Sequence, residues 1–498
     1  MLIKIVMKKL LFLILVGFFV ISCTHKNFVD DNASSANDIV ILSVNDMHAN
    51  IDALPKFAYV VDSLRSLYPE MIIVSAGDNR TGNAYNDKSP VYPNYPMIHI
   101  MNEIGFDISE LGNHEFDGSI DGLQFLVDSA DFTIICSNAD FSSYPKLQEN
   151  IKPYTSIVRN VGGEDVKITF LGVIETSNDG YPSAHRDSIK DVHFVDAQQV
   201  IDNCDSLRNS CDVFVLVSHR SLTADTALAS NTSLFDVIIG GHSHDAFLKK
   251  FDNGVIYTQS KNKLRFATLT KIRVKDGAIV SKDAELININ NTSNVNENIR
   301  KLVDEYCSFP VFRKVVGTTT APLSNKKELG ALMADAQRYL TGADVVFQNP
   351  GGVRFDSLDS CVIRLIDVYN LDPFNNSLVN MNMTGKQMSD FIAMASTMDR
   401  GPLHVSGLTY SIDYYIDDNG VEVFQNAKPV LENGQPVSPD SIYKVTMNSY
   451  MAPWADGLCT DLTDSHFGSN YAMLLYLNDF QLLDYKGVSR YSAVKIEK

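Results

Sequence analysis

Residues 39–50 read IVILSVNDMHAN, an apolar run that ends in a carboxylate and an imidazole one residue apart. The run has the length and the β-branched content of a buried strand. Asp46 and His48 follow it at the point where such a strand leaves the core. A single copy of this pattern is explained equally well by a strand that reaches the surface, because a strand-end aspartate is usually a turn former.

Four further apolar runs along the chain end in the same way, and glycine precedes the polar residue in three of them. Glycine lets the backbone turn tightly and approach other groups closely. With His48 of the first run, these runs hold five of the eleven histidines, so the pattern is not a general feature of the sequence. The runs are IIVSAGDN with Asp78, ISELGNHEFDG with Asn113, His114 and Asp117, FVLVSHR with His219, and VIIGGHSH with His242 and His244.

The side chains at these strand ends are oxygen and nitrogen donors without a thiolate. Such donors suit Mn²⁺, Zn²⁺, Fe or Mg²⁺. Seven ligands are too many for one tetrahedral ion and suit two ions, about 3.5–4 Å apart, that share a bridging carboxylate. The sequence therefore predicts two divalent metal ions, of undetermined identity, held by Asp46, His48, Asp78, Asn113, His219, His242 and His244.

Length and charge limit the other possibilities. With 498 residues the chain is expected to form more than one domain. The formal net charge of −18 makes a broad nucleic-acid surface unfavourable and suits cation binding. An anionic substrate would therefore need local positive charge.

The N-terminus is expected to be a targeting segment that takes no part in the fold. Lys8 and Lys9 precede a twelve-residue apolar run that ends at Ile21, which is typical of a signal peptide and short for a membrane span. The run ends in VISC, which resembles a bacterial lipobox. We therefore expect a signal peptide over 1–22 and lipidation at Cys23; the alternative is an ordinary cysteine after a cleaved signal.

Residues 23–37 are polar and poor in core residues, so they are interpreted as a flexible tether. The protein is then expected to be exported and held at a membrane by its lipid alone, facing the periplasm or the cell exterior. Thr24 after the lipidated cysteine is not an inner-membrane retention signal of the Asp type, which favours the outer membrane. The oligomeric state is not indicated.

The other cysteines form no C-x-x-C pair, so a cysteine zinc site is not indicated. Export permits disulfides, but the sequence does not require them. These cysteines are at positions 136, 204, 211, 307, 361 and 459.

The order of apolar and amphipathic stretches predicts two domains. Residues 38–287 alternate strand and helix patterns, as in a layered α/β or α+β domain. Residues 288–311 open polar and become helical, which predicts a linker helix. Residues 312–498 have their own helix and strand patterns and are expected to form a second domain.

The five strand-end motifs resemble, in order, those of the calcineurin-like dimetal phosphoesterases. In the second domain, QNPGGVR, DPFNNSLVNMNMTGKQM, HVSGL and YKVTMNSYMAPWADG resemble the C-terminal domain of the 5′-nucleotidase and UDP-sugar hydrolase family. The resemblance extends from about 38 to 495. It implies a four-layer αββα metallophosphoesterase domain followed by an α/β substrate domain.

The resemblance also implies a role for each motif residue. One ion would be held by Asp46, His48, Asp78 and His244, with Asp78 bridging to a second ion held by Asn113, His219 and His242. His114 would be the catalytic histidine, and Asp117 would fix its tautomer. Asp117 has an alternative interpretation as the N-cap of a helix.

In the second domain, the resemblance implies that QNPGGVR contacts the nucleotide through Asn349, Gly351, Gly352 and Arg354. Tyr450 would stack on the base and Asp456 would accept hydrogen bonds from the ribose. Tyr450 can also be read as a core aromatic residue, and Arg354 as a surface ion-pair partner.

Four positions depart from the family pattern. Ala49 stands where relatives carry glycine, and Pro402 stands where a second stacking aromatic is expected. Asn325, followed by two lysines at 326 and 327, stands at the position of a family arginine. Trp454, the only tryptophan of the chain, lies beside the expected base site.

The function implied is that of an exported, lipid-anchored 5′-nucleotidase whose partner is a small-molecule nucleotide, with no nucleic-acid polymer. The alternatives are a 2′,3′-cyclic phosphodiesterase with 3′-nucleotidase activity, or a UDP-sugar hydrolase. A surface lipoprotein that binds nucleotides without turnover is the alternative of another class.

Overall fold

The computed structural model describes residues 38–497 apart from 178, 185, 190, 400, 418 and 419. The predicted signal peptide, Cys23 and the tether lie outside the described residues. Within the described ranges, no helix has both the length and the apolar character that a membrane crossing requires.

The first domain is built on two six-stranded sheets. In the first sheet the strand order is β14-β13-β1-β2-β3-β4, and in the second it is β11-β12-β10-β9-β7-β6. The remaining short strands, β5 and β8, pair with each other. The strands are β1 Asp38–Val44, β2 Ile72–Ser75, β3 Ile108–Glu110, β4 Thr133–Ile135, β5 Ala139–Asp140, β6 Tyr154–Val161, β7 Glu164–Ile174, β8 His193–Phe194, β9 Val213–His219, β10 Val237–Gly240, β11 Ala246–Lys250, β12 Ile256–Ser260, β13 Phe266–Lys275 and β14 Ala278–Asn288.

Alternation along the strands places the two sheets face to face. In β1, Ile39 and Ile41 join an apolar cluster formed by both sheets, whereas Val40 and Leu42 point to the opposite side. Because side chains alternate with a period of two, one strand supplies two layers of the core. β1 is buried on both faces for this reason.

Helices cover both outer faces of the sandwich. The cluster outside the first sheet and the cluster outside the second each combine strand and helix side chains. This is the four-layer αββα arrangement that was predicted, and the fold class is confirmed. The α-helices of this domain are Leu54–Arg65, Ala84–Asp87, Tyr95–Ile104, Ile120–Ser129, Pro145–Asn150, Ala197–Ile201, Asp205–Arg208 and Leu222–Asn231.

A helix over Glu297–Cys307 follows the last strand of the first domain. Its apolar face, Ile299, Val303 and Tyr306, belongs to the core cluster outside the first sheet. Tyr306 also places its hydroxyl 2.6 Å from Nδ1 of His99. The predicted linker helix therefore packs as part of the first domain.

The second domain contains a five-stranded sheet, a three-stranded sheet and a two-stranded sheet. Its strands are β15 Val315–Thr318, β16 Val345–Gln348, β17 Val362–Arg364, β18 Ser377–Thr384, β19 His404–Ser406, β20 Leu408–Ile416, β21 Glu422–Leu431, β22 Ile442–Asn448, β23 Thr460–Gly468 and β24 Tyr491–Lys495. Its α-helices are Lys326–Thr341, Leu365–Leu371, Gly385–Met398 and Ser469–Asp479. The cysteines at 136, 204, 211, 307, 361 and 459 are all free thiols.

The two domains touch through a small apolar cluster. Ala84 of the first domain is buried there with Phe312 and Ile366. The backbone N–H of Ala84 also donates to Oδ1 of Asn370, at 3.2 Å. Lys88 adds to this contact, with its Nζ 5.9 Å from the centroid of the Tyr369 ring.

Candidate active site

The predicted ligands gather at one edge of the sandwich. β1, β2 and β3 run parallel in the first sheet, and β7, β9, β10 and β12 run parallel in the second. The carboxyl ends of parallel strands meet at the same edge of a sheet, where ligand sites of open α/β sheets form. Every strand-end motif delivers its polar residue to that edge.

Two groups of donor atoms result, and they share one carboxylate. In each group all donor atoms lie within 4.8 Å of one another. The first group is Asp46, His48, Asp78 and His244, and the second is Asp78, His219 and His242. Asp78 is therefore placed to bridge two ions.

Asn113 completes the second group. Its Oδ1 lies 3.0 Å from Nδ1 of His242 and 3.3 Å from Nε2 of His219. Nε2 of His219 lies 3.2 Å from Oδ2 of Asp78. In the first group, Nε2 of His48 and Nε2 of His244 lie 2.8 Å apart. The structure thus brings all seven predicted ligands together.

Backbone carbonyls behind two of the rings direct them inward. Nδ1 of His219 lies 2.7 Å from the carbonyl of Ala76, and Nδ1 of His48 lies 3.1 Å from that of Thr81. A donor hydrogen bond at Nδ1 leaves the lone pair on Nε2, the arrangement found in metal-ligating histidines.

The electrostatics of the site call for bound cations. Asp46 and Asp78 are buried, and within the described ranges their ion-pair partners are histidines alone. Buried carboxylates need compensating charge. Burial lowers the pKa of His48 to about 4, which keeps that ring neutral and able to ligate. Burial would also lower the pKa of His219, but the charge of Asp78 outweighs it and raises that pKa to about 10.

The loops that carry the ligands adopt left-handed backbone at several non-glycine residues. Asp46 has φ 49°, Asp78 has φ 53° and His242 has φ 70°. Such conformations cost on the order of 1–3 kcal/mol each and cluster at functional sites. Neighbouring loops hold them in place, since Asp46 N–H donates to the Gly77 carbonyl at 3.0 Å.

Glycine is required beside Asp78. Gly77 has φ 84°, and a Cβ there would lie 2.6 Å from the backbone nitrogen of Gly112. A Cβ on Gly112 would collide with the Asp78 carboxylate. The close approach of the loops after β2 and β3 therefore depends on both glycines.

His114 and Asp117 form a pair at the rim of the centre. Nδ1 of His114 lies 2.6 Å from Oδ2 of Asp117, and the ring centroids of His114 and His48 are 5.1 Å apart. Burial opposes protonation of His114, but Asp117 and Asp78 prevail and raise its pKa to about 9. The following helix is capped by Ser119, so the interpretation of Asp117 as an N-cap is not needed.

Two glutamates at this site were not identified from the sequence. The Glu115 carboxylate accepts the backbone N–H groups of Asp78, Asn79 and Gly112 at 2.7–2.9 Å and so ties two ligand loops together. Glu175, directly after β7, lines a cavity of about 340 Å³ with Asn113, His219 and His242. Glu115 lies inside the motif ISELGNHEFDG, but the spacing of that motif does not indicate that its carboxylate accepts hydrogen bonds from backbone N–H groups.

The second domain contains a separate cavity of about 370 Å³. Five of the six predicted nucleotide contacts line it, whereas Asp456 is exposed and is not among the residues that line it. Phe374, which the sequence did not single out, adds an aromatic wall and lies 5.5 Å from the Arg354 guanidinium. The lining residues are Asn349, Gly351, Gly352, Arg354, Phe374, Asn376, Asp399 and Tyr450.

The structure shows where three of the residues that depart from the family pattern lie. Tyr450 is 55% exposed, so it is not a core aromatic residue, and its ring centroid lies 5.2 Å from that of Trp454. Pro402 is not among the residues that line the cavity. The Asn325 side chain accepts the N–H groups of residues 327 and 328 and caps the helix Lys326–Thr341.

Comparison with known proteins identifies a matching family for each domain. Residues 39–246 match the family model of calcineurin-like phosphoesterases, and residues 315–463 match that of the 5′-nucleotidase C-terminal domain. Together with the fold and the donor groups, these matches define the class. The chain belongs to the calcineurin-like phosphoesterases that carry a 5′-nucleotidase C-terminal domain.

Individual relatives are distant. The endonuclease YhcR of Bacillus subtilis is 26% identical over 83% of this chain, which spans only 37% of that protein. A 5′-nucleotidase of Vibrio parahaemolyticus is 24% identical, and 87% of each chain is covered. The crystal structure of a 5′-nucleotidase precursor from Thermus thermophilus superposes with a TM-score of 0.70 over 92% of this chain and 99% of that one, at 21% identity. This last likeness shows the fold.

Proposed function

We propose that this protein is a metal-dependent phosphohydrolase that releases phosphate from nucleoside 5′-monophosphates. The observation that carries the proposal is the position of Asp78, which joins both donor groups. Two ions that share one carboxylate form the arrangement that clamps a phosphate ester and activates water beside it. The 24%-identical relative named a 5′-nucleotidase supports the choice of substrate.

The bound ions would lower the pKa of a coordinated water and offset the charge of the phosphoryl oxygens. The protein residues position the other groups. Asp117 accepts from Nδ1–H of His114, which leaves Nε2–H free to donate to the leaving oxygen. Oδ1 of Asp78 accepts the backbone N–H of His114 at 2.9 Å and so fixes this residue relative to the centre.

The nucleoside would bind in the second-domain cavity. Tyr450 and Phe374 offer ring faces for stacking, and Arg354 offers a planar set of donors. Asn349 is buried, and its Oδ1 accepts from Nδ2 of Asn448 at 2.9 Å, which holds the QNPGGVR turn. These contacts would select nucleotides over simple phosphate esters.

Cyclic-nucleotide phosphodiesterase with 3′-nucleotidase activity, or UDP-sugar hydrolysis, is the second candidate. Pro402 favours it, because the second stacking residue of the family is replaced. A nucleotide binder without turnover is disfavoured, since binding alone gives no reason for the pairing of His114 with Asp117.

A substrate panel tests the proposal. The chain from residue 24 to 498 is stripped of metal and reloaded with Mn²⁺ or Zn²⁺. It is then incubated with AMP, 3′-AMP, 2′,3′-cyclic AMP or UDP-glucose, and the nucleosides, nucleotides and sugar phosphate formed are separated and quantified by chromatography. We expect the highest kcat/KM for AMP and none in the metal-free sample. Turnover of none of these esters with metal present would rule out the enzyme, and a preference for another ester would select the second candidate.

We also propose that the protein is anchored by lipid at Cys23, with the outer membrane as its location. The support is the apolar run that ends in VISC and the polar segment after it. A Cys23→Ser variant is expected to move from the detergent phase to the aqueous phase in Triton X-114 partition of cells. Equal partition of the parent and the variant would contradict the anchor.

A further inference from the structure

Glu175 occupies a position between three elements of the metal centre. It directly follows β7, and its backbone N–H donates to the carbonyl of His219 at 2.9 Å. Its side chain is 35% exposed and lines the cavity beside Asn113 and His242. The mechanism above assigns it no role.

The carboxylate is held by the loop after β9. Oε2 accepts from the backbone N–H of Ser221 and Oε1 accepts from its hydroxyl, both at 3.1 Å. These two bonds fix the plane of the carboxylate. Oε2 then lies 3.5 Å from Nε2 of His242, within ion-pair distance.

His242 faces the donor cluster with its other nitrogen. Its Nδ1 lies 3.0 Å from Oδ1 of Asn113, a member of the second ligand group. The ring therefore has one nitrogen directed at the metal position and the other at a carboxylate. In metal sites, a carboxylate beside the ring nitrogen that does not bind the metal fixes the tautomer of the histidine and makes the other nitrogen a stronger metal ligand.

The other ring ligands lack such a carboxylate in the described ranges. His219 and His48 have backbone carbonyls at Nδ1, and His244 has the side-chain amide of Asn262 at 3.2 Å. Only the second ion would therefore have a histidine ligand whose ring lies beside such a carboxylate. The difference can be measured one ion at a time.

We propose that Glu175 is a positioning residue of the second metal position. It orients His242 and makes Nδ1 of that ring a stronger metal ligand. The affinity of that position for a divalent ion then depends on Glu175, and the affinity of the first position does not. This inference rests on the two-metal centre of the proposed function.

The test is metal binding to a Glu175→Gln variant of the full-length protein. Glutamine keeps one of the two oxygens that accept from Ser221 and removes the charge next to His242. Metal is removed with a chelator, Zn²⁺ or Mn²⁺ is added back, and each binding constant is measured by competition with a chelating indicator. We expect one of two ions to bind about 10–100-fold more weakly and the other to bind with parental affinity.

Two further variants make the result specific. Glu175→Asp keeps the charge on a shorter side chain and is expected to restore part of the lost affinity. Glu103→Gln removes the carboxylate 3.8 Å from Nε2 of His99, away from the site, and is expected to bind both ions as the parent does. Circular dichroism and thermal unfolding of each variant confirm that it is folded.

The outcomes separate this inference from the proposed function. Two ions bound with parental affinity by Glu175→Gln overturn the inference and leave the function intact, as does equal weakening of both ions in a folded variant. A parent protein that does not bind two ions overturns the two-metal centre itself.

Discussion

At the scale of single residues, the structure explains how alanine is accommodated at position 49. It stands where relatives carry glycine, and its φ is 51°, in the left-handed region. An L-residue there costs about 1–2 kcal/mol. Its methyl group is fully buried, which returns about 0.8 kcal/mol, and its N–H donates to the carbonyl of Asn79 at 2.7 Å. The net cost of alanine relative to glycine is therefore on the order of 1 kcal/mol or less.

Substitution at Ala49 tests this balance. In Ala49→Gly the relief of backbone strain and the loss of the buried methyl nearly cancel, so the free energy of unfolding should change by less than about 1 kcal/mol. Ala49→Val places a β-branched side chain at positive φ in a filled space and should lose at least about 2 kcal/mol. Urea denaturation measures both. A valine variant as stable as the parent would contradict the assigned backbone conformation.

His114 provides a prediction that separates chemistry from metal binding. Its side chain belongs to neither donor group. His114→Ala should therefore lower kcat by roughly 10²–10⁴ while the metal content stays near two ions per chain. Steady-state kinetics and elemental analysis measure the two quantities, and Asp117→Asn is the companion variant, which is expected to lose less. Loss of metal in His114→Ala would show that the assignment is wrong.

At the scale of elements, sequence reasoning succeeds where the signal is local. Asp46, Asp78 and His219 each end a strand, and parallel strands then carry them to one edge of the sandwich. Glu175 and Phe374 were not identified from the sequence, because their roles come from contacts with other loops. A carboxylate that faces His242 has no signature in its own stretch of sequence, VIETSND.

One helix–strand contact gives the second domain a titratable group. His404 on β19 is buried, and its ring packs where a Cβ on Gly330 of helix Lys326–Thr341 would collide with it. Burial, and then the ammonium groups of Lys326 and Lys327, lower the pKa of His404 to about 4. Tyr491 on β24 lies across the ring, with centroids 6.0 Å apart. Nε2 has no hydrogen-bond partner in the described part of the chain, so a protonated ring would be unsatisfied.

This group should make the second domain less stable in acid. The unfolded histidine has a pKa near 6.5. Because the folded pKa is depressed, its contribution to stability is present above pH 6.5 and is lost as the pH falls toward 4. The parent should lose about 2 kcal/mol more than His404→Phe between pH 8 and pH 5. Fluorescence of Trp454, the only tryptophan, reports unfolding of this domain in urea. Parallel pH profiles of the two proteins would contradict the assignment.

At the scale of the whole molecule, the arrangement of the domains was the least accessible to sequence reasoning. The pattern over 288–311 predicted a linker helix, but not the surface against which that helix packs. The structure places Ile299, Val303 and Tyr306 in the first-domain core. Any hinge between the domains therefore lies after this helix, near the 3-10 turn Pro310–Arg313.

The cavity beside the metal ligands and the cavity of the second domain share no lining residue, and each belongs to one domain. The proposed function needs the phosphate at the metal centre and the base between Tyr450 and Phe374. In the proposed function, a rotation of the second domain after nucleotide binding delivers the phosphate to the metal centre. The contact of Ala84 with Asn370 and Ile366 is one part of the interface that such a rotation would change.

A reversible crosslink tests this rotation. Ala84→Cys and Asn370→Cys are combined, because the N–H of Ala84 and Oδ1 of Asn370 are already 3.2 Å apart. Once oxidised, the double variant should turn over AMP about tenfold or more slowly, since domain motion gates such reactions. Hydrolysis of p-nitrophenyl phosphate, which has no base to deliver, should be nearly unaffected, and dithiothreitol should restore AMP turnover. Each single variant is treated in the same way as a control. An oxidised protein that cleaves AMP at the reduced rate would show that the domain arrangement seen here is already the catalytic one.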